Sequence, residues 1–149
     1  MKKEVFGVND VYTFLYTINI RAKALLEQVQ MVNKEQYAIV QGMRAMHLRF
    51  EHGLVFDMPQ LEKIQNDDAW YSNSLRTQMR RTNSSPEDFF GQALLDFEMN
   101  VRTQYESMLS LVELPERNKM RLSNQISELK ERIDILRTYC QKHNLLLSA

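Results

Sequence analysis

The sequence is poor in residues that interrupt helices or crosslink chains. Among its 149 residues are four glycines, three prolines and one cysteine. Because Cys140 stands alone, no disulfide can form within the chain, which fits a reducing compartment. No segment alternates apolar and polar residues between glycine- or asparagine-rich turns, so strands are poorly supported. These shortages favour an all-α protein.

Long apolar runs and an excess of either charge are absent too. No stretch of about 18 apolar residues occurs, so we expect no membrane span and take the cytoplasm as the expected location. Nineteen basic and nineteen acidic residues give a formal net charge of zero. This balance gives no reason to expect nucleic acid or anionic lipid as a partner. A chain of this length suits one domain with a real core.

Motifs for catalysis and for cofactors are also missing. The histidines, His47, His52 and His143, include no pair at the i,i+3 or i,i+4 spacing, and none follows a glutamate by three residues. Di-iron bundles and helical zinc proteases need such spacings, so a metal site here would need ligands assembled from distant segments. A glycine-rich phosphate loop and a Gly-x-Ser-x-Gly turn are absent as well. We therefore expect no metal, no cofactor and no enzymatic activity.

The first third of the chain carries apolar residues at alternating spacings of three and four. The pattern comprises Val11, Leu15, Ile18, Ala22, Leu25, Val29, Val32, Gln36, Ile39, Met43, Met46 and Phe50. It predicts one long helix over about 10–52, which would be about 60 Å long. Asn33, with Gln36 three residues later, is an alternative N-cap that would split this helix near residue 33. Because the periodicity continues through that point, we favour one helix, kinked or straight.

Capping signals divide the rest of the chain. Asp57 followed by Pro59 opens one or two short helices over 57–82. Two further breaks, each containing a proline, bound helices over 86–113 and 116–147. The whole chain, 1–149, is predicted to form a single helical domain. Its fold class is an all-α, elongated helical bundle with a long N-terminal helix, short middle helices and a C-terminal antiparallel helical hairpin that resembles a coiled coil.

The last helix has two candidate packing partners. Its heptad a and d positions hold Leu122, Ile126, Leu129, Ile133, Leu136 and Cys140. Isoleucine at a with leucine at d is typical of a parallel homodimeric zipper, but Arg132 and Arg137 would then face each other and repel. Residues 84–114 hold six acidic and one basic residue, whereas residues 115–149 hold seven basic and four acidic ones. This opposite charge favours an antiparallel hairpin within the chain.

Arg137 and His143, near the end of the last helix, form a candidate catalytic pair. An arginine and a histidine separated by four to six residues resemble the motif of the HEPN family, helical proteins that include many metal-independent RNases. The resemblance covers residues 137–143, and Thr138 stands where the family often has Asn, Asp or His. It implies that Arg137 would contact the scissile phosphate and that His143 would transfer protons. The alternative is that His143 is a histidine at the end of the bundle with a satisfied hydrogen bond.

An aromatic and arginine-rich segment is the candidate partner-binding site. It comprises Trp70, Tyr71, Arg76, Arg80 and Arg81. Residues of these types dominate the hot spots of protein interfaces, and on a short helix they also stack bases and bind phosphates. A purely structural role is the simplest explanation, because Trp70 can pack into the bundle while arginines near a helix C-terminus are favoured by the helix dipole.

The leading hypothesis is a non-enzymatic protein-interaction module: an adaptor, a secretion or assembly chaperone, or a small scaffold. Long amphipathic helices expose more apolar surface than this chain can cover, so we expect another protein as partner and a homo-oligomer. The general form is similar to that of the small helical export chaperones of flagellar and type III systems, although no motif carries this likeness. A HEPN-like RNase and a nucleic-acid-binding regulator that uses residues 76–81 are the alternatives, with nucleic acid the less favoured partner.

Overall fold

The computed structural model describes residues 7–64 and 89–146, which form a bundle of four α-helices. The helices are α1 (Val8–Gln28), α2 (Lys34–Asp57), α3 (Gln92–Leu111) and α4 (Glu116–Lys142), and a 3₁₀ helix (Pro59–Lys63) follows α2. No strand occurs within the two described ranges. The predicted all-α bundle is thus confirmed.

Each helix packs antiparallel to its two neighbours, and the order around the bundle is α1, α2, α4, α3. Contacts at both ends fix the direction of α2 against α4. Arg121 Nε donates to Asp57 Oδ2 at one end, and Asn33 Nδ2 donates to Tyr139 Oη at the other. The two helices that face each other across the core, α2 and α3, therefore run parallel.

The predicted continuous helix over 10–52 is wrong, because the chain breaks at residues 29–33 and folds back on itself. Asn33 has an extended backbone, and its Oδ1 accepts from Gln36 N at 2.8 Å. Gln36 Oε1 in turn accepts from Val32 N at 3.0 Å. These bonds satisfy backbone N–H groups at the start of α2. The apolar spacing continues into both helices because each turns an apolar face to the same core, whereas Val32, which lies in the break, is 79% exposed.

The short middle helices predicted over 57–82 are described only at their beginning. The 3₁₀ helix Pro59–Lys63 starts with proline in its first turn and buries Leu61 against α1 and α2. Asp57 is the last residue of α2 rather than the cap of a new helix. Residues 65–82 of the prediction lie outside the described residues.

The C-terminal hairpin is confirmed as α3 packed on α4. Its first helix, α3, begins at Gln92, since residues 89–91 are not helical, and residues 86–88 of the prediction lie outside the described residues. Within the chain, Leu122, Leu129, Ile133 and Leu136 are completely buried. A homodimeric zipper would need these side chains for a second copy, whereas here they pack into the core of their own chain.

A partly buried ion pair and the hydroxyl that bonds to it join three helices at the end where α2 finishes. Asp57 accepts from Tyr12 Oη at 2.6 Å and from Arg121 Nε at 2.6 Å and Nη2 at 3.0 Å. Its side chain is 1% exposed. Burial alone would raise the pKa of Asp57, but the hydrogen bonds from Arg121 and Tyr12, with the charges of Arg121 and Arg117, hold it below its ordinary value of 3.8. Asp57 is therefore a carboxylate in the folded chain.

We expect Asp57→Asn to lower the free energy of unfolding by about 2–3 kcal/mol, because it removes a charge that accepts three hydrogen bonds. Urea unfolding at neutral pH measures this. The matched control is Asp134→Asn, since the Asp134 side chain is 73% exposed and pairs only with Arg137 among its described contacts. The control should change stability by less than about 0.5 kcal/mol. Equal effects would contradict a stabilising role for the partly buried pair.

Asp57 also predicts a pH dependence. Because its pKa is lower in the folded chain than the ordinary 3.8, its contribution to stability is present above that pH and is lost as the pH falls through the lowered value. The difference in unfolding free energy between wild type and Asp57→Asn should therefore shrink below about pH 4. A difference that stays constant down to pH 2 would contradict this account.

Two glycines should respond to alanine in opposite directions. Gly91, before α3, has a φ of 142°, and a Cβ there would lie 2.9 Å from the carbonyl oxygen of Leu145. Gly42, inside α2, would place a Cβ 2.5 Å from Arg132 Nη1, the end of a flexible side chain. We expect Gly91→Ala to destabilise the fold by about 1–3 kcal/mol and Gly42→Ala to stabilise it by up to about 1 kcal/mol. Thermal unfolding measures both, and the reverse order would overturn the explanation.

Candidate functional site

Five buried polar side chains form a hydrogen-bonded layer across the bundle, to which every α-helix contributes. This polar layer consists of Asn19 from α1, His47 from α2, Glu98 and Tyr105 from α3, and Gln125 from α4. Four of these residues are completely buried, and Gln125 is 6% exposed. Burying so many polar atoms is tolerable only where they bond to one another.

The hydrogens of Asn19 and His47 are fixed by geometry. Asn19 Nδ2 donates to the carbonyl oxygen of Leu15 at 2.8 Å. Since a carbonyl only accepts, Asn19 Oδ1 is the atom that faces His47 Nδ1, 2.7 Å away, and this nitrogen must carry a hydrogen. His47 Nε2 lies 3.0 Å from both Glu98 carboxyl oxygens. One further proton therefore lies between these two side chains, so the pair is neutral overall whichever of them holds it.

The layer continues through Tyr105 to α4. The Tyr105 hydroxyl accepts from Asn19 Nδ2 at 2.7 Å and donates to Gln125 Oε1 at 2.8 Å. Gln125 Nε2 then donates to the carbonyl oxygen of Phe50 at 3.2 Å. Burial raises the pKa of the Tyr105 hydroxyl, which keeps it protonated as a donor. The chain of bonds thus ends on backbone and crosses all four helices.

The polar layer was not predicted from the sequence. Asn19 and His47 each directly follow a residue of the predicted apolar pattern, and Glu98 directly follows Phe97, a buried apolar residue of α3. The sequence signal for the layer is that one polar residue lies beside the apolar face on each of three helices. Spacing alone does not tell a buried position from one at the edge of the face, so the signal became specific only once the helices were packed.

A groove of about 570 Å³ lies on the outside of the bundle between α2 and α4. Apolar side chains line it together with charged side chains of both signs: Ala38, Ile39, Ile135 and Tyr139, and Glu35, Arg132, Asp134 and Lys142. Ile135 is 47% exposed. The groove can therefore take up apolar side chains of a partner and neutralise charges of either sign around them.

Arg137 and His143 contact different neighbours of α4. Arg137 Nη1 donates to Asp134 Oδ1 at 3.2 Å, and its Nη2 lies 3.5 Å from Met99 Sδ on α3. His143 Nε2 lies 3.5 Å from Glu35 Oε2 on α2, and the His143 side chain is 42% exposed. The structure of the single chain therefore does not bring the two candidate catalytic side chains together.

The predicted partner-binding residues Trp70, Tyr71, Arg76, Arg80 and Arg81 lie outside the described residues. Within 7–64 and 89–146, no three His, Cys, Asp or Glu side chains are placed to hold a metal ion. In the same ranges, no helix is long and apolar enough to cross a membrane. Cys140 is a buried free thiol, and burial raises its pKa to about 11, which disfavours the reactive thiolate.

Comparison with known proteins finds no match to this chain among family models, curated proteins or solved structures.

We expect Glu98→Ala to lower the free energy of unfolding by about 3–5 kcal/mol, because it leaves His47 buried without its partner. Glu98→Gln should cost less, since its amide can donate to His47 Nε2. Glu106→Ala is the control on the same helix, where the carboxylate is 48% exposed and bonded to Arg102. It should cost less than about 0.5 kcal/mol. A Glu98→Ala loss no larger than that of the control, by urea unfolding, would refute the energetic role of the pair.

Proposed function

We propose that the chain is a non-enzymatic protein-interaction module that binds a partner protein through the groove between α2 and α4. The supporting observation is the apolar lining of this groove, partly exposed at Ile135 and flanked by charges of both signs. A groove between two helices suits an amphipathic helix that inserts apolar side chains at helical spacing. The expected partner is thus a segment with apolar anchors and mixed charges.

The apolar surface extends beyond the groove at the same end of the bundle. Val32 and Tyr37, in the break before α2 and in its first turn, are 79% and 56% exposed. Asn33, between them, bonds to Tyr139, which lines the groove. Exposed apolar side chains that adjoin a groove favour protein contact over a freely solvated surface.

An adaptor, a secretion or assembly chaperone and a small scaffold all act in this way, by presenting a preformed surface without chemistry. A second copy of the chain is one candidate partner, in line with the expected homo-oligomer. We also propose the cytoplasm as the location, because a lone cysteine fits a reducing compartment. Among the described residues, no contact favours the HEPN-like or the nucleic-acid-binding alternative over this function.

The groove predicts that Ile135→Glu weakens partner binding at least about tenfold, because the interface would then bury a charged carboxylate at the place where an apolar side chain packs. Met120→Glu, at a 58% exposed site on the same helix, is the matched control and should retain the partner. Tagged wild-type and variant chains are compared by affinity purification from the native host after nuclease treatment, with far-UV circular dichroism confirming that each is folded.

Three results would contradict the proposal. Equal recovery of the partner by both variants would place the binding surface elsewhere. Failure of the wild-type chain to recover any protein at near-stoichiometric amounts would argue against an interaction module. Recovery of RNA that nuclease removes, with no protein left behind, would favour the RNase alternative through Arg137 and His143.

A further inference from the structure

The polar layer connects two helical hairpins. The first hairpin consists of α1 and α2, and the second of α3 and α4. Three bonds of the layer cross between the hairpins: Glu98 with His47, Asn19 with Tyr105, and Gln125 with the backbone of α2. The remaining side-chain bonds, Asn19 with His47 and Tyr105 with Gln125, lie within a hairpin and align its polar side chains for the crossing bonds.

The bond between His47 and Glu98 is the most sensitive to the position of one hairpin on the other. It spans the diagonal of the bundle, because α2 and α3 do not pack directly on each other. Sliding one hairpin by a single helical turn would move its side chains by about 5.4 Å, far more than a contact of 3.0 Å can absorb. Both side chains would then lie unpaired in an apolar core.

The apolar part of the core depends much less on how far one hairpin is shifted along the other. It contains Met43, Met46 and Met108, whose flexible side chains fill gaps of varied shape. Leucine-rich and methionine-rich cores accept alternative packings with little loss of stability and lose uniqueness first. Something other than apolar burial is therefore needed to select one arrangement.

We propose that the polar layer selects the observed pairing of the two hairpins, against shifted registers and against exchange of hairpins between two copies of the chain, and that it adds no net stability. This inference is independent of the partner that the groove binds. It agrees with the loss of stability expected for Glu98→Ala, because removing one member of the layer leaves its bonding partners buried without a hydrogen bond. Replacing all members by apolar side chains leaves no polar side chain of the layer without a partner.

The test replaces the whole layer in the full chain: Asn19→Leu, His47→Leu, Glu98→Met, Tyr105→Phe and Gln125→Met. A second version, with Asn19→Val and Glu98→Leu, guards against overpacking. We expect the variants to keep the far-UV circular dichroism of a helical protein and to melt at or above the wild-type temperature. They should nevertheless lose the single set of amide cross-peaks in ¹H–¹⁵N spectra and elute as a more heterogeneous mixture of sizes than the wild-type chain.

Two outcomes would overturn the proposal. A single set of sharp cross-peaks with the wild-type contacts between hairpins, in either version, would show that apolar shape alone selects the pairing. Failure of both versions to fold would show that the layer supplies stability. Tyr105→Phe alone removes the bond donated to Gln125 and the bond accepted from Asn19 but leaves the diagonal bond of His47 with Glu98 intact, so it should keep a single set of cross-peaks and serves as the control.

Discussion

The arrangement of this bundle depends on the neutral pair of Glu98 and His47 at its centre. Both side chains are completely buried, and each would leave an unpaired polar atom or a lone charge in the core if the other moved away. The pair also faces across the bundle diagonal, so it constrains the two hairpins and not merely two adjacent helices. Asn19 and Tyr105 extend this constraint to α1 and, through Gln125, to α4.

The groove between α2 and α4 follows from the same arrangement. Its two sides belong to different hairpins, so its width and the side chains that meet in it depend on their register. Two further contacts between the hairpins occur in this register, both of them partly buried: Arg121 with Asp57 towards one end, and Asn33 with Tyr139 towards the other. A preformed groove loses little conformational freedom when a partner binds, so less of the binding free energy is lost to ordering the groove.

The fold class and the hairpin were predictable from the sequence because helical periodicity and proline-containing breaks are local signals. The break between α1 and α2 was not predicted, although Asn33 and Gln36 carried a capping signal. The reason is that apolar spacing indicates which side of a helix faces the core and does not indicate whether the backbone continues as one helix. The polar layer escaped prediction for a related reason. Asn19 and His47 lie beside apolar faces, and only the packing of four helices decides which flanking positions are buried. The arginine-rich segment at residues 70–81 remains a prediction.

The protonation of the His47 ring depends directly on its pairing with Asn19 and Glu98, so it is the first property to measure. Long-range ¹H–¹⁵N spectra of the histidine side chains report which ring nitrogen carries hydrogen. We expect a hydrogen on His47 Nδ1 that exchanges slowly with water, with nuclear Overhauser effects from the ring to Asn19 on its own hairpin and to Glu98 on the other. An unprotonated Nδ1, or a ring that exchanges rapidly with solvent and shows no contact to Glu98, would contradict this pairing.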